Sequence, residues 1–273
     1  MGNNSLEYTR PRGLRKPHEL RKPLFLKVDV LSNANGSAYF ELGGTKLFVS
    51  VVGPVPDKQK ELAEIKCNYS MAAFSTEERI KKKVSKRAQE ISLKIKEVFE
   101  DVILLDKYPN SCIFIDILIV SADAGTRVAA ITACSVALAQ AGIRMKALVS
   151  AISVGKYKNE ILLDLQQEED CNGEADMPIC YNPLSKEYLL LQFDGEMDFF
   201  EFEKALKYAR FGCHLLYILQ QYVLFKKFYQ DLGEEGGTSF FQAFSKEDFL
   251  SNENVLAEQK DIVKAFLEYI IKK

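Results

Sequence analysis

Between Phe25 and Met71, apolar residues either alternate with polar ones or form short runs, over Phe25 to Val30, Ala38 to Leu42, Lys46 to Val52 and Ile65 to Met71. Asn35-Gly36, Gly43-Gly44 and Gly53-Pro54 separate them. Short runs of this kind bounded by turn residues predict a meander of strands. The period then changes: Ile91, Ile95, Val98 and Val102 recur at helical spacing. That spacing predicts a helix from about Lys86 to Leu105, ended before Tyr108-Pro109 because the residue ahead of a proline is pushed out of helical geometry.

Cys112 to Val120 is rich in β-branched residues and suits a central strand. It leads through the small residues Ser121 to Thr126 into a helix from Arg127 to Ala141, closed by Gly142. Alanine and valine occupy nearly every side of that helix, which predicts one enclosed in the core. Further strands are expected at Val149 to Val154, Ile161 to Leu165, Met177 to Tyr181 and Tyr188 to Gln192. A long helical pattern then runs from Asp198, a suitable cap, to Tyr229. Gly233 to Gly237 reads as a connector to a last amphipathic helix, about Ser251 to Ile271, expected to pack on the body of the protein. The strand-rich and helical blocks occur in two rounds, with no internal repeat strong enough to assert.

Composition narrows the chemistry. At 273 residues and 47% hydrophobic content the chain can bury a substantial core. It shows neither an apolar run of membrane-spanning length nor an apolar leader in Met1 to Arg12, so a soluble, cytoplasmic protein is expected. Six cysteines are scattered without zinc-ligand spacing and read as buried thiols in a reducing compartment. His18 and His214 are the only histidines, which leaves little material for a histidine triad or zinc site. Chemistry must therefore rest on carboxylates, cations or hydroxyls. The net charge of −2 is uninformative, but charge is locally concentrated. Arg79, Lys81, Lys82, Lys83, Lys86 and Arg87 form a cationic run, and Glu168, Glu169, Asp170, Glu174 and Asp176 an acidic one.

Gly125-Thr126-Arg127 falls at a predicted helix start, where unpaired N–H groups and the helix dipole favour an anion such as phosphate. Arg127 there opposes the dipole unless a bound anion offsets it. The same residues also read as merely capping a buried helix, with Arg127 at the surface. Lys86 and Arg87 also stand at a helix start; the cationic run is either a solvated loop or a grip on a phosphate backbone. The segment Leu163 to Asp176 reads as a strand entering an acidic turn and returning as a strand, with Asp170 and Asp176 near its mouth. Such a carboxylate pair is either solvated or able to hold Mg²⁺ or share acid and base duties.

Over about Arg10 to Leu232 the chain resembles the ribonuclease PH family, specifically the catalytic ring subunit of the archaeal exosome. The segments that carry the resemblance include Arg15-Lys16-Pro17-His18-Glu19-Leu20-Arg21, Gly36-Ser37-Ala38 and Gly43-Gly44-Thr45-Lys46. They continue with Tyr69-Ser70-Met71-Ala72-Ala73-Phe74-Ser75, Ala122-Asp123-Ala124-Gly125-Thr126-Arg127 and Gly173-Glu174-Ala175-Asp176-Met177-Pro178. There are departures: Lys86-Arg87 stands where the family has two arginines, Gly13-Leu14-Arg15 replaces Asp-Gly-Arg, and Ala73 replaces a common proline. Residues from Gly233 onward lie outside the resemblance.

The resemblance implies an α+β, ribonuclease PH-like fold, related to domain 2 of ribosomal protein S5, with mixed sheets packed against core helices. It implies a basic arm over 1–22, a catalytic domain over 23–232 in two subregions of about 23–155 and 156–232, and a linker and helix over 233–273. It also implies a phosphate-dependent 3′→5′ exoribonuclease of an exosome-like hexameric ring, releasing nucleoside diphosphates from single-stranded RNA. Carried onto this chain, Gly125, Thr126 and Arg127 bind inorganic phosphate, the co-substrate. Lys86 and Arg87 grip the RNA backbone, Tyr69 stacks on a base, and Asp170 and Asp176 are the catalytic acids and the Mg²⁺ ligands. Expected partners are RNA, a homologous inactive ring subunit and RNA-binding cap proteins. The alternatives are a homohexameric tRNA-trimming enzyme, active alone, and an inactive RNA-binding scaffold subunit.

Overall fold

The computed structural model describes Arg10, residues 15–58, 61–80 and 85–231, and Phe266 and Tyr269. Lys81, Lys82 and Lys83 of the cationic run, the connector at Gly233 to Gly237 and most of the predicted helix from Ser251 to Ile271 lie outside these residues.

Two sheets share one core. The first is formed by β1 (Leu24–Val28), β2 (Gly36–Leu42), β3 (Thr45–Pro56), β4 (Glu64–Met71) and β5 (Ser111–Ser121), in the order β1-β2-β3-β5-β4. The predicted meander holds for β1 to β3, which pair antiparallel. It fails at β4, which lies at the sheet edge and pairs parallel with β5. A parallel neighbour requires a crossover, and α1 (Lys86–Val102) is that crossover. α1 ends three residues short of the expected Leu105 because Ile103 turns extended and bridges to Met145.

The second sheet contains β6 (Ser150–Tyr157), β7 (Glu160–Leu163), β8 (Ala175–Asn182), β9 (Glu187–Leu191) and the short β10 (Asp194–Gly195). β7 and β8 flank β6 on opposite sides, so the acidic segment is not the turn of a hairpin between them. It folds instead into α3 (Gln167–Asn172), begun by reciprocal side-chain bonds between Gln166 and Glu169 and favoured by acids in its first turn. Glu169 is fully buried, not solvated.

Between the sheets runs α2 (Thr126–Gln140), in which every residue from Val128 to Leu138 is buried. Its alanines let strands approach closely: a methyl group on Gly36 would collide with the Ala137 carbonyl oxygen and lie 2.6 Å from the Ala141 β-carbon. Its buried hydroxyls are paired with the neighbouring strand, Thr132 with the Ala151 backbone and Ser135 with the Val149 N–H. α4 (Phe199–Asp231) covers β6 and β7, and Asp198 caps it by accepting from the Glu201 N–H at 2.8 Å. Phe266 is buried in the same core, and the Tyr269 hydroxyl lies 3.3 Å from both backbone polar atoms of Leu24. Four cysteines are buried as expected, but Cys67 is partly open and Cys171, on α3, is exposed.

Gly36→Ala should destabilise the protein by about 1–3 kcal/mol, the usual cost of overpacking a closed helix–strand contact. Thermal or urea denaturation would measure it, and an unchanged midpoint would contradict the close approach described here.

Candidate active site

α2 begins where the chain leaves β5 through Ala122 to Gly125. Ala124 and Gly125 both take left-handed backbone angles, φ 57° and 62°, and no side chain caps the first helical turn. The N–H groups of that turn thus face a cavity of about 320 Å³. Its walls bring together residues far apart in sequence: Gly125, Thr126 and Arg127 from α2, Arg87 from α1, Tyr69 from β4, Asp170 from α3 and Asp176 from β8. Lys86 is not among the lining residues; it is exposed on the first turn of α1, outside the cavity.

Tyr69 is 3% exposed, and its hydroxyl donates to Thr126 Oγ1 at 2.9 Å, so it braces the helix start from the cavity wall.

Two residues that the sequence reading missed complete the cavity's chemistry. Ser153, in the middle of β6, lines it with a hydroxyl that is buried and lacks a hydrogen-bond partner. Gln192, just after β9, accepts a hydrogen bond from Arg127 Nη1 and so sets the direction of the guanidinium. Ser153 is hidden within an apolar run, and Gln192 carries no motif; only the pairing of β6, β8 and β9 brings them here.

Arg127 Nε, Ser153 Oγ and Asp176 Oδ1 are all buried without a partner, and all three residues line this cavity. Buried polar atoms are nearly always paired, and leaving one unmade costs about 1–3 kcal/mol. Three such atoms in one cavity indicate a place built for a polar ligand.

The acids differ in environment. Burial pushes the Asp176 carboxyl up to about 7, and the neighbouring Asp170 adds to the rise, against the pull of Arg127 and the Met177 N–H. Asp170 is also raised by burial, but less, because Arg87, Arg21 and Arg127 draw it down. Asp176 is thereby able to hold a proton near neutrality. Asp57, Glu64 and Cys112 also place ligand atoms within 4.8 Å of one another, but none of them lines this cavity.

An anion-receiving helix start, arginines and a proton-bearing acid define an enzyme that acts on phosphate esters. Residues 20–144 match domain 1 of the RNase PH, or 3′ exoribonuclease, family, and residues 147–211 match its domain 2. The chain is 44% identical to the exosome complex component Rrp41 of Pyrococcus furiosus over 229 residues, 82% of this chain and 91% of that one. It is 40% identical to the Rrp41 component of Nitrosopumilus maritimus over 216 residues, 77% and 88% of the two chains. Among solved structures, rice Rrp46 aligns with a TM-score of 0.69 at 24% identity, covering 77% of this chain and 98% of that one. An Archaeoglobus fulgidus exosome with RNA bound to the active site aligns at 0.64 and 20% identity, covering 74% and 89%. The chain belongs to the 3′ exoribonuclease family, with its ribonuclease PH-like α+β fold, and is a 3′→5′ exoribonuclease. No helix among the described residues is long and apolar enough to cross a membrane.

Carbon-detected titration of the metal-free protein should place the Asp176 carboxyl near about 7 and lower it in Asp170→Asn, which removes the like charge. Because the folded value lies above the unfolded one, near 3.8, stability is lost as pH rises through this window. Asp176→Asn should therefore raise the melting temperature at pH 8 and leave it nearly unchanged at pH 3; a lower melting temperature at pH 8 would contradict the assignment.

Proposed function

We propose that this chain is the phosphorolytic subunit of an exosome-type ring, and that the cavity at the start of α2 is where inorganic phosphate meets the 3′ end of single-stranded RNA. The observation that carries this reading is the set of three orphaned polar atoms beside an uncapped helix start. One phosphate offers acceptor oxygens for the amides of Gly125 and Thr126, for Arg127 Nε and for Ser153 Oγ. Arg87, exposed at the rim on α1, holds the terminal phosphodiester, and Lys86 beside it extends the grip along the backbone.

In the reaction an oxygen of inorganic phosphate attacks the phosphorus of the last phosphodiester, and the bond from that phosphorus to the 3′ oxygen of the preceding nucleotide breaks. Asp176 gives its proton to that oxygen. A nucleoside 5′-diphosphate leaves, and the RNA is one nucleotide shorter. Holding two anions in line and neutralising them supplies most of the acceleration. Asp170 keeps the Asp176 proton in place by its charge.

Mg²⁺ fits the donor set: Asp170 and, once its proton has been given up, Asp176 would offer hard oxygen ligands on one cavity, and one or two carboxylates with substrate phosphates are the usual complement for this ion. When bound it would screen the charge that gathers as phosphate and RNA approach.

The partners that suit this reading are RNA, a related ring subunit completing a hexamer and RNA-binding cap proteins. The six free cysteines suit the reducing cytoplasm. A scaffold subunit would have no use for an orphaned arginine and a proton-bearing acid in one cavity.

Incubated with poly(A) and its ring partners, the chain should shorten RNA only when phosphate is present and release nucleoside diphosphates; monophosphate products would defeat the proposal. Arg127→Ala should reduce the rate by about 10²–10³, and Asp176→Asn by about 10²–10⁴. RNA affinity should change little in either variant.

A further inference from the structure

The basic arm and the Gly43-Gly44-Thr45 turn are prominent in the sequence, yet none of their described residues lines the active cavity. The described arginines of the arm are spent inside the protein. Arg10 is buried on Glu169, with two bonds of 2.7 and 2.6 Å, and also donates to the carbonyl oxygens of Leu163 and Asp164. Arg15 donates to the carbonyl oxygens of Glu19 and Asp164. Arg21, 3% exposed, lies directly behind the loop that precedes α2.

That loop must hold an unfavourable shape. Ala124 has a β-carbon and nonetheless adopts a left-handed conformation, followed by Gly125 in the same region. Thr45 supports it from one side: its hydroxyl donates to the Ala124 carbonyl oxygen at 2.7 Å and accepts from the Asp123 N–H at 3.0 Å. Arg21 supports it from the other. Its Nη1 donates to the Asp123 carbonyl oxygen, and its Nη2 would stand 3.2 Å from a β-carbon placed on Gly125.

Arg21 is itself held rigidly. Its backbone N–H and Nε donate to the two carboxylate oxygens of Asp164 at 2.7 and 3.0 Å, and Nη2 lies 2.9 Å from Asp164 Oδ1. Its stem lies against Gly43, where any β-carbon would come within 2.8 Å of the stem carbons. Asp164 in turn is fully buried and donates its N–H to the Ser153 carbonyl oxygen at 2.7 Å. On the far side, Asp123 Oδ1 accepts from the N–H of Gln167, the first residue of α3, at 3.1 Å. One guanidinium therefore joins the loop before α2, the strand bearing Ser153 and the segment leading to Asp170.

We propose that Arg21 is a positioning residue: together with Thr45 it fixes the loop of residues 122–125 in the shape that presents the α2 amides to phosphate. This rests on the phosphate reading given above. The planar fork is required, because it spans a carboxylate and a carbonyl at once, which a lysine ammonium cannot do with the same geometry. Arg21 touches no substrate.

The test uses the full chain with its ring partners and compares the parent, R21K and T45V. In R21K the KM for inorganic phosphate in poly(A) shortening should rise about tenfold, the effect of one hydrogen bond lost at a site. The KM for RNA should stay within about twofold over the same comparison, since the phosphodiester grip is untouched. Backbone hydrogen exchange should accelerate at residues 122–128 and not in β5. T45V should move both readouts in the same direction. A purely structural role would lower kcat through the folded fraction and leave the phosphate KM unchanged; that result, or unaltered loop exchange in R21K, overturns the proposal. If the parent shortens RNA equally well without phosphate, the functional reading falls, while loop exchange still decides whether Arg21 is the brace.

Discussion

A helix enclosed on all sides can leave backbone groups unpaired only at its ends, and α2 places one such end on the cavity. The rest of the structure follows from this constraint. The two sheets cover the helix from both faces, which demands the small side chains of Ala129, Ala130, Ala133 and Ala137. Their closeness brings β4, β6 and β8 to the same end, and with them Tyr69, Ser153 and Asp176. The uncapped helix end proposed above as the phosphate site is thus a by-product of core packing before any side chain chooses its role.

Charge is handled in two different ways. Around Arg10, Arg21, Asp164 and Glu169, burial is matched by near-complete pairing, so although burial pushes the Asp164 carboxyl up, Arg21 and Arg15 hold it below its usual range. Buried pairs of this kind are poor sources of net stability but exact in geometry. In the cavity the pairing is deliberately incomplete, and the acid is pushed the other way. The same protein keeps one aspartate firmly ionised and leaves another ready to release a proton, according to how many donors surround it.

Much of this was legible in the sequence where period and turn residues spoke plainly: the strands around Gly43-Gly44, the enclosed helix from Thr126 and the Asp198 cap all lie within a few residues of expectation. The parallel placement of β4 was not, because alternation reports which residues face the core and not which strand lies alongside. α3 is too short for a periodic signal, so its acids read as a turn. Tyr69 was placed at the right location, but its burial was not legible, since a motif carries position but not exposure. Ser153 and Gln192 were invisible because their importance comes from strands that pair at a distance.

The hold on the loop before α2 comes from Arg21, Thr45 and Gln167, which belong to three separate stretches of chain. The short Gly-Thr-Arg signature is consequently not a portable module. Grafted onto the helix of an unrelated scaffold it would carry its letters without its curvature, and an anion would find there only an ordinary helix end.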